Sequence, residues 1–225
     1  MNGIWISLLP LILGSALVPV QIILVIFLLK SPQQGLAKGL MFVSGMTAAR
    51  LLQGWLFGLV FSFGSDTTGA GGKGPIVATL LLVLGLLLLI SAYRAWSKEP
   101  DPDAPPPRWM ARLDQATPVT ALAMGAALPL ISPKLWVFLL GALEVIDLAQ
   151  LGQPASLGLF LLYILGAQTL LLLPILVRLF LPARSAAFLA GVSTWLDRNG
   201  RTIKIAVSLV FGLWFFYQGV SSFLP

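Results

Sequence analysis

Six long apolar runs, separated by short polar connections, constrain this chain more than any other feature of its sequence. A helix needs about 20 apolar residues to cross the hydrocarbon core of a bilayer, and each run reaches that length. The sequence therefore predicts an all-α integral membrane protein with six transmembrane helices. The runs cover residues 4–29, 39–63, 76–96, 118–146, 157–180 and 203–223.

The composition supports this fold class and excludes several functions. Of the 225 residues, 58% are hydrophobic and 10% are charged, and the mean hydropathy is +0.94. Soluble domains carry about 25% charged residues. The chain has no cysteine and no histidine, which removes disulfides, thiolate metal sites and the commonest proton shuttle. We therefore expect no metal, no cofactor and no enzymatic activity.

The basic residues are distributed unequally between the two sides of the predicted membrane. The connections after the first, third and fifth runs hold eleven of the 14 Lys and Arg residues, while the alternate connections hold only Lys73. Because cytoplasmic loops are rich in Lys and Arg, both termini are predicted to lie outside the cytoplasm, with the protein in a bacterial-type inner membrane. The net charge of +6 follows from this orientation and does not indicate nucleic acid as a partner. The eleven residues are Lys30, Lys38, Arg94, Lys98, Arg108, Arg112, Arg178, Arg184, Arg198, Arg201 and Lys204.

The chain is predicted to consist of two three-helix halves, residues 1–97 and 118–225, joined by a proline-rich cytoplasmic linker at 98–117. Residues 17–20 align with residues 131–134, and Gly85 aligns with Gly212. Because each half has an odd number of spans, the second half enters the membrane from the opposite side. The repeat is then inverted, as in many secondary transporters.

Residues 183–201, just before the last run, form an amphipathic stretch with apolar side chains at helical spacing. Such a stretch is typical of a helix that lies in the membrane interface. It is predicted either as an interfacial helix or as an ordinary amphipathic connector.

Two prolines lie in the middle of apolar runs, Pro19 in the first and Pro133 in the fourth. Proline lacks a backbone N–H and clashes with the preceding turn, so it leaves carbonyl groups that need polar partners or a cavity. We therefore expect helix breaks at Pro19 and at Ser132 and Pro133, next to a binding site. A simple kink is the alternative.

Polar side chains occur at mid-depth in the first, second, fourth and fifth runs. Arg50 lies near the centre of the second run, with Thr47 and Gln53 three residues before and after it on the same face. The set predicts a substrate-binding cavity near the bilayer midplane. Its other members are Gln21, Lys134, Gln168 and Thr169.

Arg50 and Lys134 need a partner, because a cation at the bilayer centre costs about 2.5–3.5 kcal/mol. One explanation is a bound carboxylate, phosphate or sulfate group of a substrate. A second is Glu144, ten residues after Lys134, brought close by the break at Pro133. A third is that Arg50 only caps carbonyls freed by the prolines. Glu144 is also the candidate for proton coupling.

Four glycines in and before the second run, Gly35, Gly39, Gly54 and Gly58, form two pairs spaced by four residues. Small residues at this spacing allow helices to approach closely. They favour packing within the chain, with a homodimer as the alternative.

Residues 132–138, Ser-Pro-Lys followed by Leu-Trp-Val-Phe, resemble the Asn-Pro-Lys motif in the fourth helix of the LysE superfamily of small exporters. The six runs, the proline in the first run and the polar linker are also similar to that superfamily. Within it, the third run and the amphipathic stretch most resemble the GAP family, named for peptidoglycolipid or sulfolipid addressing. The resemblance implies export of a lipid or an amphiphile.

Two departures from the superfamily pattern concern the substrate. Ser132 stands where the motif usually has Asn, and residues 18–20 (Val-Pro-Val) replace the Asn-Pro-Gly-Pro type of signature of amino-acid exporters. Both departures count against amino-acid specificity, and amino-acid export is kept only as an alternative to lipid export.

These features predict an exporter that moves an anionic or zwitterionic small molecule, or a lipid head group, by alternating access, with membrane lipids and this substrate as partners. One alternative is a non-transporting accessory or scaffold protein of envelope lipid assembly. A membrane-embedded enzyme is disfavoured, because acid and base chemistry needs convergent groups and only Glu144 and Asp147, near one end of one helix, are available.

Overall fold

The computed structural model describes residues 2–64, 75–97 and 116–221. These residues form helices with short connections, and none of them lies in a strand, so the fold is all-α as predicted. Most of the predicted linker, residues 98–115, lies outside the described residues. The helices of the described part are α1 (Asn2–Ala16), α2 (Pro19–Lys30), α3 (Gly35–Gly64), α4 (Pro75–Ser97), α5 (Pro118–Ile131), α6 (Pro133–Leu148), α7 (Gln153–Ala167), α8 (Thr169–Phe180) and α9 (Pro182–Ser221).

Three of the predicted runs consist of two helices joined by a sharp bend. The bend is 50° between α1 and α2, 71° between α5 and α6, and 63° between α7 and α8. Pro19 and Pro133 occupy the first positions of α2 and α6, where the missing N–H costs no helical hydrogen bond. The predicted interruptions of the first and fourth runs are therefore present. The third break, at Gln168, has no proline and was not predicted.

The structure supports the predicted membrane spans only in part. Among the described residues, Arg198–Ser221 is long and apolar enough to cross a membrane alone. Each of the three bent pairs would add one span if it crosses as a unit, which gives up to four. The count of six spans and the inverted repeat remain predictions.

The amphipathic stretch at 183–201 is not a separate helix. It forms the first half of α9, which continues from Pro182 to Ser221 over 40 residues without a break. No proline occurs between these two ends, and no described feature interrupts the helical hydrogen bonds. The stretch and the last predicted span are therefore one continuous helix, and a position of residues 183–201 in the membrane interface remains a prediction.

Two apolar cores lie on opposite sides of the three breaks. The first core contains residues of α1, α4, α6, α7 and the second half of α9, with Phe138, Phe211 and Phe215 in mutual contact. The second core contains residues of α2, α3, α5, α8 and the first half of α9, including Phe42 and Ile175. Each broken run therefore contributes one half to each core.

Close helix packing in the molecule depends on glycine. A Cβ at Gly125 would collide with the Phe42 carbonyl, so α5 and α3 are in backbone contact. A Cβ at Gly85 would meet the backbone of Phe216, which holds α4 equally close to α9. Glycine at these positions therefore sets the distance between the paired helices.

The four glycines of the second run behave differently from one another. Gly35 and Gly39 pack against Leu29, and Gly54 packs against Phe160, whereas nothing described lies within 4 Å of a Cβ at Gly58. Three of the four glycines thus serve packing within the chain. The homodimer remains an untested alternative.

Candidate functional site

A stripe of polar side chains on α3 reaches the broken runs. Thr47, Arg50 and Gln53 follow one another at intervals of three residues on one broad face of α3. Thr47 Oγ1 lies 3.0 Å from Gln168 Oε1 at the α7–α8 break. Arg50 Nη2 donates to Ser15 Oγ at 3.0 Å, just before the α1–α2 break. The stripe therefore lies at the level where the two cores meet.

Gln53 caps a carbonyl that has lost its helical partner. In a continuous helix the Pro129 carbonyl would accept a hydrogen bond from residue 133, but Pro133 has no N–H. Gln53 Nε2 donates to this carbonyl at 3.3 Å, and Trp136 Nε1 donates to the Leu130 carbonyl at 2.9 Å. The α5–α6 break is therefore stabilised by one side chain from α3 and one from α6.

Arg50 is the largest fully buried polar side chain of the described residues, with 2% of its surface exposed. Its described hydrogen bond goes to the neutral hydroxyl of Ser15, and its Nη1 has no hydrogen-bond partner in the part of the chain that the structure describes. The buried hydroxyl group of Tyr163 lies beside Arg50 and Ser15. Burying a guanidinium without an anion costs several kcal/mol, so a bound anion would stabilise this arrangement.

Two buried amides near the breaks have unsatisfied atoms. Gln21 is fully buried, and neither its Oε1 nor its Nε2 has a partner among the described residues. Gln168 is also buried, and its Nε2 is equally without a described partner. Leaving a buried polar group unpaired costs about 1–3 kcal/mol. These atoms are therefore available to bind a ligand or water.

The two threonines of the predicted site have different surroundings. Thr47 Oγ1 lies 2.9 Å from the Val43 carbonyl as well as close to Gln168, and its single hydrogen can serve only one of them at a time. Thr169 is exposed and donates to the Leu165 carbonyl of its own run at 3.2 Å. Only Thr47 therefore takes part in the contact between α3 and the breaks.

Lys134 contacts a different helix from Arg50. Its Nζ donates to Ser208 Oγ on α9 at 2.7 Å. Lys204, one turn earlier on the same face of α9, carries a second positive charge near Lys134. The structure does not join Arg50 and Lys134 through a described hydrogen-bond partner, so their action on one substrate remains a prediction.

The break at Pro133 does not bring Glu144 close to Lys134. Both residues lie on α6, after the break, and ten residues of helix separate them by about 15 Å. The explanation of Lys134 by an ion pair with Glu144 was therefore wrong, because the bend lies before both residues and cannot shorten the distance between them.

Sequence reasoning missed Ser15 and Tyr163. Ser15 lies four residues before Pro19, where proline frees a carbonyl and polar groups gather. Tyr163 is a hydroxyl-bearing residue five positions before Gln168 in an otherwise apolar run. Polar side chains near a break were the signal that could have found both.

An apolar cavity of about 240 Å³ lies on the second-core side of the α1–α2 and α7–α8 breaks, and the first half of α9 forms one of its walls. Its lining includes Pro19, so it borders one of the predicted break positions. The polar stripe contacts the same two breaks through Ser15 and Gln168, but none of its residues lines the cavity.

Residues 8–221 match the family model described as Sap, sulfolipid-1-addressing protein. The chain belongs to this family. The match runs from α1 into the last turn of α9, so the three breaks and the polar stripe are all within the Sap family region. Comparisons with curated proteins and with solved structures find no match.

Membership of the Sap family confirms the predicted resemblance to a sulfolipid-addressing family. Together with the apolar helix at Arg198–Ser221, it indicates a membrane protein. The wider LysE superfamily, the inner membrane and the outward termini are not tested by these observations and remain predictions.

Proposed function

We propose that the protein exports an anionic or zwitterionic lipid from the cytoplasm by alternating access. The observation that carries this proposal is Arg50, a cation buried between two apolar cores beside three helix breaks, with Nη1 lacking a described partner. A guanidinium in such a place gains most from a bound anion, and its planar donors suit the oxygens of a phosphate, sulfate or carboxylate group.

The family description supports a lipid as the substrate. It names sulfolipid-1 addressing, and a sulfolipid combines an anionic head group with acyl chains. Arg50 would bind the anionic group, and the unpaired amide atoms, both of Gln21 and Nε2 of Gln168, would bind neutral polar atoms of the head group. Amino-acid export does not account for the apolar cavity that begins at the α1–α2 break with Leu17 and Pro19.

The breaks support alternating access. Each broken run contributes one half to each core, so a change of angle at a break moves the two halves of that run relative to each other, while the unbroken α9 keeps the two cores connected. Rocking of this kind around a central site is typical of secondary transporters. We assign Lys134 as a second cation for the head group in one of the two states and Glu144 as the proton-coupling group.

The test is transport in proteoliposomes by purified wild-type and variant protein. The probes are phosphatidylglycerol and a sulfated glycolipid, each with a fluorescent acyl chain. Arg50→Leu is expected to slow translocation about ten- to hundredfold. This factor corresponds to the loss of one charge-assisted hydrogen bond, which contributes about 1.5–3 kcal/mol. Full transport by a correctly inserted Arg50→Leu protein would contradict the proposal.

Arg178→Leu is the matched control. Arg178 Nη1 donates to Ser185 Oγ at 2.9 Å, the same pair of groups as Arg50 and Ser15, but at the end of α8 and away from the breaks. We expect this variant to transport normally. An equal loss in both variants would mean that Arg–Ser contacts serve stability only.

A non-transporting accessory role in envelope lipid assembly is the second candidate. The exposed Trp195 and the basic residues Arg184 and Arg198 on the first half of α9 favour it, since they present a surface for another component. This role predicts that neutral replacement of Arg50 and Lys134 is tolerated while changes to residues 183–201 are not. The transport assay and the same variants separate the two roles.

A further inference from the structure

The cavity beside the breaks is lined only by apolar side chains from three elements. One wall comes from the α1–α2 break, one from α8 and one from the first half of α9. The lining includes Pro19 and Ile22, Leu173 on α8, and Val192 and Trp195 on α9. A cavity of this kind provides no hydrogen-bonding or charged group for a lipid head group and is suited to hydrocarbon.

The volume matches a segment of an acyl chain. At about 30 Å³ for each methylene, close to the share of one water molecule in the liquid, 240 Å³ holds roughly eight methylene groups. Trp195 lines the cavity while 55% of its own surface is exposed, so the cavity opens to the outside at this residue. A chain can therefore enter from the side without crossing a polar barrier.

The polar groups of the breaks are separate from the cavity. Gln21 and Gln168 are buried and have amide atoms without described partners, but neither of them is among the residues that line the cavity. The cavity is therefore suited to the chain of a lipid alone, and the head group has to lie outside it.

The cavity lies on the basic side of the molecule. It adjoins the second core, and the helices of that core carry Lys30 at the end of α2 and Arg178 in the last turn of α8. This is the side predicted to face the cytoplasm, where the inner leaflet is anionic. A lipid drawn from that leaflet would meet the mouth at Trp195 first.

We propose that this cavity binds one acyl chain of a lipid taken from the cytoplasmic leaflet, with the first half of α9 as its outer wall. The site rests on the proposed lipid substrate and adds the place where the chain is held.

Photo-crosslinking of the full-length protein in nanodiscs tests the site. The probe is phosphatidylglycerol with a diazirine in mid-chain, added at increasing fractions of the lipid. We expect saturable labelling concentrated on Leu173 and Val192 and the residues beside them. Val192→Trp fills the cavity and should lower this labelling about tenfold or more, since each buried methylene changes affinity by about fourfold.

Val210→Trp is the matched control on the same helix. Val210 is 60% exposed and lies outside the cavity lining, so this variant adds the same side chain to a lipid-facing surface. Ile22→Trp fills the cavity from the opposite wall and keeps the test valid if Val192→Trp does not fold. Labelling that is spread over exposed residues such as Val210, or that survives in a folded Val192→Trp or Ile22→Trp protein, would overturn the site.

The transport assay separates this failure from a failure of the proposed function. Focused, saturable labelling with normal transport by Arg50→Leu would support the chain site and contradict the role of Arg50. Loss of transport by Arg50→Leu with unfocused labelling would support the exporter and overturn the chain site.

Discussion

The pair of α4 and α9 and the region of the three breaks differ in how their buried backbone groups obtain hydrogen-bond partners. In the first region, two unbroken helices satisfy their own backbone groups and pack through Gly85 against the backbone of Phe216. In the second, the interrupted helices leave carbonyls such as that of Pro129 to be satisfied by side chains. The difference indicates that the first region is a rigid scaffold that keeps its internal packing and that the second can change its partners when a ligand binds.

The largest effect is expected where the scaffold has no spare space. Gly85→Leu would push α4 away from the backbone of α9 and lower the free energy of unfolding by about 3 kcal/mol, the upper range for overpacking. Thermal unfolding of the purified protein in detergent measures this. Gly191→Leu, on the first half of α9 where nothing described lies within 4 Å, should be at least as stable as the wild type, because leucine favours a helix more than glycine does. Equal stability of both variants would contradict close packing at Gly85.

The next effect concerns the cap at the α5–α6 break. Gln53→Met keeps the size of the side chain but leaves the Pro129 carbonyl buried without a donor, which should cost about 1–3 kcal/mol of stability. Chemical denaturation in detergent, compared with the wild type, measures the loss. An unchanged unfolding midpoint would mean that this carbonyl has another partner.

Gln21→Met should act in the opposite direction. Gln21 is buried with no described partner for its amide, so removing the amide should raise the stability of the ligand-free protein by about 1 kcal/mol. If Gln21 binds lipid, the same variant should also copurify with less lipid, as measured by mass spectrometry. A loss of stability like that of Gln53→Met would show that Gln21 is paired within the protein.

The smallest effect is expected at the exposed end of the scaffold. Arg201 donates from Nε to the Ala95 carbonyl at 3.0 Å and from Nη2 to the Trp96 carbonyl at 2.7 Å, which caps the end of α4. Arg201→Met should cost about 0.5 kcal/mol, as for other exposed charged contacts. Arg198→Met, which removes a charge from the same helix without removing a described cap, should cost less. The difference in melting temperature between the two variants gives the value of the cap.

The sequence predicted those parts of this arrangement that depend on one residue type. Proline cannot donate a backbone hydrogen bond, so Pro19 and Pro133 were sufficient to predict two of the breaks. The break at Gln168 has no such local cause, since its amide meets Thr47 at a separation of 121 residues. No pattern near Gln168 could show that partner, and the same holds for Tyr163, whose position beside Arg50 depends on how α7 and α3 pack.

The spacing of Thr47, Arg50 and Gln53 predicted that they share a face of one helix. It could not predict which of them binds substrate and which caps a free carbonyl. Gln53 was expected to bind substrate, and the structure places it on a freed carbonyl. Arg50 was weighed as a cap for such a carbonyl, and its described hydrogen bond goes to a hydroxyl instead. Roles of this kind depend on tertiary distances of a few ångströms, which spacing along one helix does not determine.

Because α9 is continuous, a movement at one of its ends is transmitted to the other. Its 40 residues extend over about 60 Å, roughly twice the thickness of the hydrocarbon core of a bilayer. A tilt of about 10° around its midpoint would displace each end by about 5 Å, given that length. Residues 188–203 of α9 line the apolar cavity, and Ser208 of the same continuous helix accepts a hydrogen bond from Lys134 on α6. An acyl chain that widens the cavity therefore also displaces Ser208 and weakens its hydrogen bond to Lys134.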